Sequence, residues 1–238
     1  MPAKKNISYG NRKIERPSGL LIIFISFLVI AAILTQIEVK PNYSSILDDL
    51  SFLSENIIRL KINAFIWLLN SVMIILLGPA ILVTFLPYKK AFPYSIAFLI
   101  SATGIVYLVY TAAFFNIISI VSVYSSSPQS ESSSIPSLAF NMLINKTTLQ
   151  QIAYTFTGIS AVVLGSFIGW TGYIPRLIGL MSIAGGLVYI VFGWLDPESL
   201  VFSVGRVVFV LSLMLFGIFL LLRGTKFKKT NKVTPPLP

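Results

Sequence analysis

Long apolar stretches alternate with short polar segments along most of the chain. Crossing the hydrocarbon layer of a bilayer as a helix takes about 20 residues. Six stretches come close to that length or exceed it, and they are Leu20–Ile37, Ile62–Leu86, Phe92–Val121, Leu149–Trp170, Leu177–Leu195 and Leu200–Leu222. Each is much longer than a buried strand. The pattern therefore predicts an all-α fold, a polytopic transmembrane helical bundle with about six spans.

The first stretch is preceded by basic residues, as the apolar core of a cleaved signal peptide would be. However, it is longer than a typical signal core, and no clear A-x-A cleavage site follows it. We expect a retained first helix, with cleavage as the alternative. The chain then divides into a basic N-terminus (1–19), a transmembrane domain (20–222) and a basic, proline-rich tail (223–238).

Composition supports a membrane protein. Residues of hydrophobic type make up 55% of the chain and charged residues only 11%, whereas soluble domains are about 25% charged. The net charge of +10 could indicate nucleic acid in a soluble protein. Here the basic residues flank the apolar stretches, so they are better explained by membrane topology, and we expect a lipid bilayer and no nucleic acid as partner.

The distribution of charge predicts the orientation. With the N-terminus inside, most of the 18 Lys and Arg residues fall in cytoplasmic segments, and most of the 8 acidic residues fall in outer loops. Basic residues concentrate on the cytoplasmic side of membrane proteins. We therefore expect both termini to be cytoplasmic and the protein to lie in the cell (plasma) membrane.

The residue types that are missing limit the chemistry. The chain has no cysteine and no histidine, which leaves no disulfide, no thiol nucleophile and no histidine ligand for zinc or haem. No carboxylate lies within a predicted span. We expect no enzymatic activity, no cofactor and no metal.

Polar side chains concentrate in the outer halves of the predicted spans. The set consists of Asn63, Asn70, Tyr107, Tyr110, Asn116, Gln151, Tyr154 and Arg206. Facing lipid would be costly for amides and for an arginine, so we expect these groups to converge. An outward-open polar cavity would satisfy them, and so would hydrogen bonds between helices. Arg206 could also extend along its helix to the surface.

Small residues recur on two spans at helical spacing. They are Ala161, Gly165 and Gly169 on the fourth span, and Gly179, Gly186 and Gly193 on the fifth. Such stripes let helix backbones approach closely. They can pack within the chain, or against other membrane subunits or a second copy in a homo-oligomer.

Two N-glycosylation sequons begin at Asn42 and Asn145, both in predicted outer loops. The motif is short and recurs by chance. Whether these two sites are glycosylated also depends on the organism.

Two segments resemble the family called domain of unknown function 4386. One is Gly172–Gly179 with its Gly-x-x-Pro-Arg-x-x-Gly turn, and the other is Ser54–Leu60, which leads into the second span. The resemblance extends from about residue 17 to 222. It implies a membrane fold of six or seven helices and supplies no activity, cofactor or catalytic residue.

Three functions remain open from the sequence. The first is binding or sensing of a small or lipid-like ligand from the outer side. The second is an accessory or scaffolding subunit of a larger membrane complex. The third is a small transporter, although we find no internal repeat of the kind that many transporters carry.

Overall fold

The computed structural model describes residues 12–37, 42–86, 91–126, 134–172 and 174–230. These residues form seven α-helices and one 3-10 turn, with no strand among them. The helices are α1 (Arg12–Thr35), α2 (Ile46–Glu55), α3 (Ile57–Phe85), α4 (Ala91–Ser126), α5 (Ile135–Thr171), α6 (Arg176–Leu195) and α7 (Leu200–Thr230). All except α2 are long and apolar enough to cross a membrane. The predicted all-α, multi-pass membrane fold is confirmed.

The six spanning helices form a closed ring. Helix α1 packs against α3 and α7, α4 packs between α3 and α5, and α6 packs between α5 and α7. The chain thus visits the positions of the ring in sequence order, and α1 and α7 close it. Because side chains from all six helices point toward a common axis, the centre of the ring is a natural place for a binding site.

Both ends of the described chain lie at the same end of the bundle, which we call the terminal end. A Cβ atom on Gly19 of α1 would meet the backbone nitrogen of Leu221 at 2.8 Å, near the end of α7. The opposite end carries α2 and is called the α2 end. Helix α7 continues to Thr230, past the predicted boundary at 222, and α1 begins at Arg12 inside the predicted N-terminal segment.

Helices α4 and α5 are longer than predicted, with 36 and 37 residues. At a rise of 1.5 Å per residue each exceeds a bilayer core of about 30 Å. Their extensions carry α2, whose buried face of Ile46, Leu50 and Leu53 lies in one apolar cluster with Val121 and Leu143. This added packing explains why α5 begins at Ile135 and not at the predicted position 149. The serine-rich segment 127–133 and the tail from 231 lie outside the described residues.

Glycines allow the backbones of α5 and α6 to touch. A Cβ atom on Gly165 would lie 2.5 Å from the carbonyl oxygen of Gly179, and one on Gly158 would lie 2.5 Å from that of Gly186. Between these contacts, the Ser182 hydroxyl donates to the Ala161 carbonyl oxygen at 2.9 Å. Four of the predicted small residues, Ala161, Gly165, Gly179 and Gly186, therefore face one another within the chain.

The other two predicted small residues behave differently. Gly193 of α6 faces Tyr154, whose Cβ would lie 3.0 Å from a Cβ added at the glycine. A Cβ on Gly169 would meet nothing within 4 Å. The closest contacts of α5 with α6 are at Gly158 and Gly165, which lie seven residues apart on nearly the same face. The Gly169 backbone nitrogen also lies near α6, 3.1 Å from a Cβ added at Gly179, but the Cβ direction of Gly169 points into open space.

Candidate functional site

The axis of the ring contains a cavity of about 80 Å³. One water needs roughly 10–15 Å³ of such space, so the cavity is several times larger than a single water site. Every spanning helix contributes to its wall, with Val29 from α1, Asn70 from α3, Tyr107 from α4, Tyr189 from α6 and Arg206 from α7 among the lining residues. Helix α5 contributes the longest run of lining positions, which consists of Tyr154, Thr157, Ser160, Ala161 and Leu164.

Asn70 is the polar side chain that defines this site. It is 0% exposed, and neither its Oδ1 nor its Nδ2 has a hydrogen-bond partner among the described residues. One helical turn away on α3, Trp67 is 5% exposed, and its Nε1 also has no partner there. Buried polar groups in proteins are nearly always hydrogen-bonded. The wall therefore presents donors and an acceptor that this arrangement of helices does not satisfy.

The threonine and serine hydroxyl groups of the wall, in contrast, have hydrogen-bond partners within the protein. The Thr103 and Ser160 hydroxyls lie 2.8 Å apart and join α4 to α5. The Thr157 hydroxyl donates to the Tyr107 hydroxyl oxygen at 3.0 Å. The ring of Tyr107 in turn stacks on Trp67, with centroids 4.8 Å apart and planes at 8°. These contacts hold α3, α4 and α5 together on one side of the cavity and fix the orientation of the Trp67 indole.

Arg206 occupies the α2 end of the cavity. Its Nη2 donates to Oε1 of Gln36 at 3.0 Å, which links α7 to the end of α1. Its guanidinium carbon lies 5.5 Å from the centroid of the Phe202 ring, within the range of a cation–π contact. Arg206 is 9% exposed. Because α2 packs on α3, α4 and α5, Arg206 and Gln36 lie on the part of the ring that α2 does not cover.

The terminal end of the cavity is closed by aromatic side chains. The rings of Phe85 and Phe167 lie 5.0 Å apart at 77°, and those of Phe85 and Phe216 lie 6.1 Å apart at 14°. All three side chains are at most 1% exposed. This layer, together with Ile81 and Leu220, separates the cavity from the terminal end.

Half of the polar residues singled out from sequence line this cavity. They are Asn70, Tyr107, Tyr154 and Arg206. The remaining four, Asn63, Tyr110, Asn116 and Gln151, do not line it, and the expectation that all eight converge is wrong.

Asn63 stabilises the end of α1 instead. Its Nδ2 donates to the Ala32 carbonyl oxygen at 2.7 Å and to the Thr35 hydroxyl at 2.8 Å. It shares a face of α3 with Asn70, but seven residues separate them by about 10 Å along the axis. The two amides therefore serve different parts of the fold.

The other three residues miss the cavity for different reasons. Asn116 is exposed, since nine residues from Tyr107 bring it to the opposite face of α4. Tyr110 is buried but packs edge-on against Trp67, with ring centroids 5.8 Å apart. Gln151 is half-buried on α5 and precedes the cavity-facing Tyr154 by one turn.

Several cavity residues were not in the predicted site. Trp67, Thr103, Thr157, Ser160 and Tyr189 line it. The sequence does place Trp67 on the face of Asn70 and Thr157 one turn from Tyr154, beside the predicted residues. No sequence signal points to Tyr189, because only the packing of α6 against α5 and α7 directs it to the axis.

The predicted glycosylation sites lie near the α2 end. Asn42 is exposed, although its Oδ1 accepts hydrogen bonds from the Ser44 backbone N–H and hydroxyl. Asn145 is exposed within the extension of α5. Within the described ranges, no group of three or more Asp and Glu side chains is placed to hold a metal ion.

No curated protein and no solved structure gives a significant match to the chain. The model of the family described as domain of unknown function (DUF4386) matches residues 18–224, which cover the last five candidate spans completely and the first from residue 18 onward. The chain belongs to this DUF4386 family.

Proposed function

We propose that this protein binds a small or lipid-like molecule in the central cavity of its helix ring, as a carrier or sensor and not as an enzyme. The observation that carries the proposal is the buried Asn70 amide, which lines the cavity with both polar atoms unsatisfied. Leaving a buried donor or acceptor without a partner costs about 1–3 kcal/mol. A bound molecule would remove this penalty, and the cavity supplies the space for it.

The shape of the site favours entry from the α2 end. The aromatic layer of Phe85, Phe167 and Phe216 blocks the terminal end, whereas the side of the ring at Arg206 and Gln36 is not covered by α2. Ligand sites in helix bundles are typically apolar pockets with a few convergent polar groups, and this cavity has that character. The excess of basic residues near the terminal end supports an orientation with both termini in the cytoplasm and the entrance on the outer face of the plasma membrane.

Mass spectrometry of the gently extracted protein tests the proposal. We expect a defined small molecule to accompany the wild-type protein and to be lost from Asn70→Leu, which removes both amide atoms at similar side-chain volume. Asn116→Leu is the matched control, since it makes the same change on the exposed face of α4. A wild-type protein that carries no bound molecule would contradict the proposal, as would equal retention by the two variants.

The subunit hypothesis needs a surface other than the glycine stripes. Gly165, Gly179 and Gly186 are in contact within the α5–α6 interface, so they cannot form a docking face for another protein while this ring is intact. If the same mass spectrometry experiment finds a second protein bound to this chain in a fixed ratio, that result would favour the subunit function over the ligand function.

A further inference from the structure

The chemistry of the unsatisfied atoms restricts the ligand that the proposed function requires. The Trp67 indole Nε1 is a donor only, whereas the Asn70 amide has two donors on Nδ2 and an acceptor at Oδ1. Trp67 and Asn70 are three residues apart, so they lie on the same face of α3 about 4.5 Å apart along its axis. A single small polar group placed beside this face can reach both.

Only some polar groups of a ligand can hydrogen-bond to both the N–H donors of Trp67 and Asn70 and the Asn70 Oδ1 acceptor. A hydroxyl or a primary amide accepts from the N–H groups and donates to Oδ1 at the same time. A carboxylate accepts but cannot donate, and an ammonium group donates but cannot accept, so each leaves part of the set unsatisfied. The neighbouring hydroxyls of Thr103, Ser160 and Thr157 already hydrogen-bond within the wall and do not change this balance. The Arg206 guanidinium also lines the cavity, but it lies at the α2 end, where it hydrogen-bonds to Gln36 and packs on the Phe202 ring.

The rest of the cavity is apolar and lies toward the terminal end. Leu77 of α3 is seven residues beyond Asn70, and Leu213 of α7 is seven residues beyond Arg206, so each is about 10 Å closer to the terminal end. Both line the same cavity, together with Ile25, Ile100 and Leu164. An aliphatic chain attached to the polar group would occupy this part and stop at the aromatic layer.

We infer that the ligand is an uncharged amphiphile, with a hydroxyl or primary amide head hydrogen-bonded to Asn70 and Trp67 and an aliphatic tail directed toward the terminal end. This inference rests on the proposed function, because it specifies the molecule that the same cavity would hold.

Fluorescence of Trp67 tests the head group directly. The chain has 3 tryptophans, so Trp170→Phe with Trp194→Phe leaves Trp67 as the only reporter. The protein in nanodiscs would be titrated with octanol, octanamide, octanoate and octyltrimethylammonium, which share one tail length. We expect saturable changes of emission with octanol and octanamide, at concentrations roughly tenfold or more below those needed for the two charged compounds, because an unpaired buried polar atom costs on that scale.

Two variants control for partition into the lipid and for the contact with Asn70. A protein with Trp67→Phe and Trp194→Phe retains only Trp170, which is 62% exposed on the surface, and should show no saturable change. Asn70→Leu in the Trp67-only protein should abolish the preference for uncharged heads. If that variant does not fold, the order of the four compounds in the Trp67-only protein still decides the inference.

The outcomes distinguish a failure of this inference from a failure of the proposed function. Saturable binding of octanoate or of octyltrimethylammonium at lower concentration than octanol overturns the inference and leaves a cavity ligand in place. An absence of saturable response to both octanol and octanamide also overturns the inference. The proposed function falls as well if mass spectrometry finds no molecule bound to the wild-type protein, or finds equal retention by Asn70→Leu and Asn116→Leu.

Discussion

The backbone of Gly165 on α5 is in contact with the backbone of Gly179 on α6. A Cβ atom on Gly165 would lie 2.5 Å from the Gly179 carbonyl oxygen, and a Cβ on Gly179 would lie 2.6 Å from that of Gly165. Neither carbonyl can move away without disturbing its helix. The contact fixes the distance between two helices that both contribute residues to the cavity, Tyr154 and Tyr189 among them.

Gly165→Ala should therefore destabilise the protein. Overpacking a tight interface costs about 1–3 kcal/mol, which should appear as a lower midpoint of thermal unfolding in detergent. Gly169→Ala is the matched control on the same helix, because its new Cβ meets nothing within 4 Å. Equal midpoints for the two variants would show that the α5–α6 contact is not as close as described.

Arg59 caps the end of α1. Its guanidinium donates to the carbonyl oxygens of Leu34, Thr35 and Gln36 at 3.1, 3.2 and 3.4 Å. The last carbonyls of a helix have no partner within the helix, and a positive charge there also complements the helix dipole.

Arg59→Ala should lower the stability by about 1 kcal/mol, since the side chain is exposed and solvent weakens its contacts. Lys61→Ala removes a nearby exposed basic residue and should have a smaller effect on the unfolding midpoint. Because Gln36 follows Thr35 and accepts from Arg206, we also expect Arg59→Ala to weaken ligand retention. Unchanged stability would contradict the capping role.

Asp49 on α2 should make the stability depend on pH. Burial, and then the neighbouring Asp48 carboxylate, raise the pKa of Asp49 above its ordinary value, and an interaction with Ser45 offsets this in part. The folded protein therefore binds a proton at Asp49 more readily than the unfolded chain. Protonated Asp49 therefore contributes to the stability of the folded protein below the ordinary aspartate pKa of about 3.9, and this contribution is lost as the pH rises through the pKa of Asp49 in the folded protein.

Asp49→Asn should then raise the midpoint of thermal unfolding at neutral pH and have little effect near pH 3, below the ordinary aspartate pKa of about 3.9. Asp48→Asn should produce a smaller gain, because burial is the larger cause of the shift. A lower midpoint for Asp49→Asn at neutral pH would contradict the sign of this effect.

The orientation in the membrane can be tested with single cysteines, since the natural chain has none. Ser51 is exposed on α2, and Arg16 is exposed at the terminal end. We expect Ser51→Cys to react with a membrane-impermeant maleimide in intact cells, and Arg16→Cys to react only after permeabilisation. The reverse pattern would place the cavity entrance on the cytoplasmic side.

The spanning helices were predictable because a helix of about twenty apolar residues matches the thickness of the hydrocarbon core of a bilayer. Their ends were less predictable. Helix α5 begins at Ile135 because its extension packs against α2 and α4, with Ala139 and Leu143 in their common apolar cluster. Lys146 in this extension is 7% exposed, with its Nζ 5.2 Å from the Phe114 ring centroid. A tertiary contact of this kind leaves no periodic signal in one segment.

The level of the site residues along their helices was predictable from the sequence, but the side of each helix that faces the cavity was not. The level of Asn70, Tyr107 and Arg206 along their helices follows from counting residues, but the order of helices in the ring decides which face meets the axis. That order explains why Asn116 is exposed while Tyr189 lines the cavity. The close contact of Gly158 with Gly186 likewise became visible only when α5 and α6 were placed side by side.

An experimental density map of the protein, extracted without removing its native lipids, tests the central claim most directly. We predict continuous density in the cavity, longer than a water molecule, with one end about 2.7–3.2 Å from the Asn70 amide and the Trp67 Nε1. Its other end should lie near Leu77 and Leu213. An empty cavity, or separate peaks of water alone beside Asn70, would contradict a ligand-binding function.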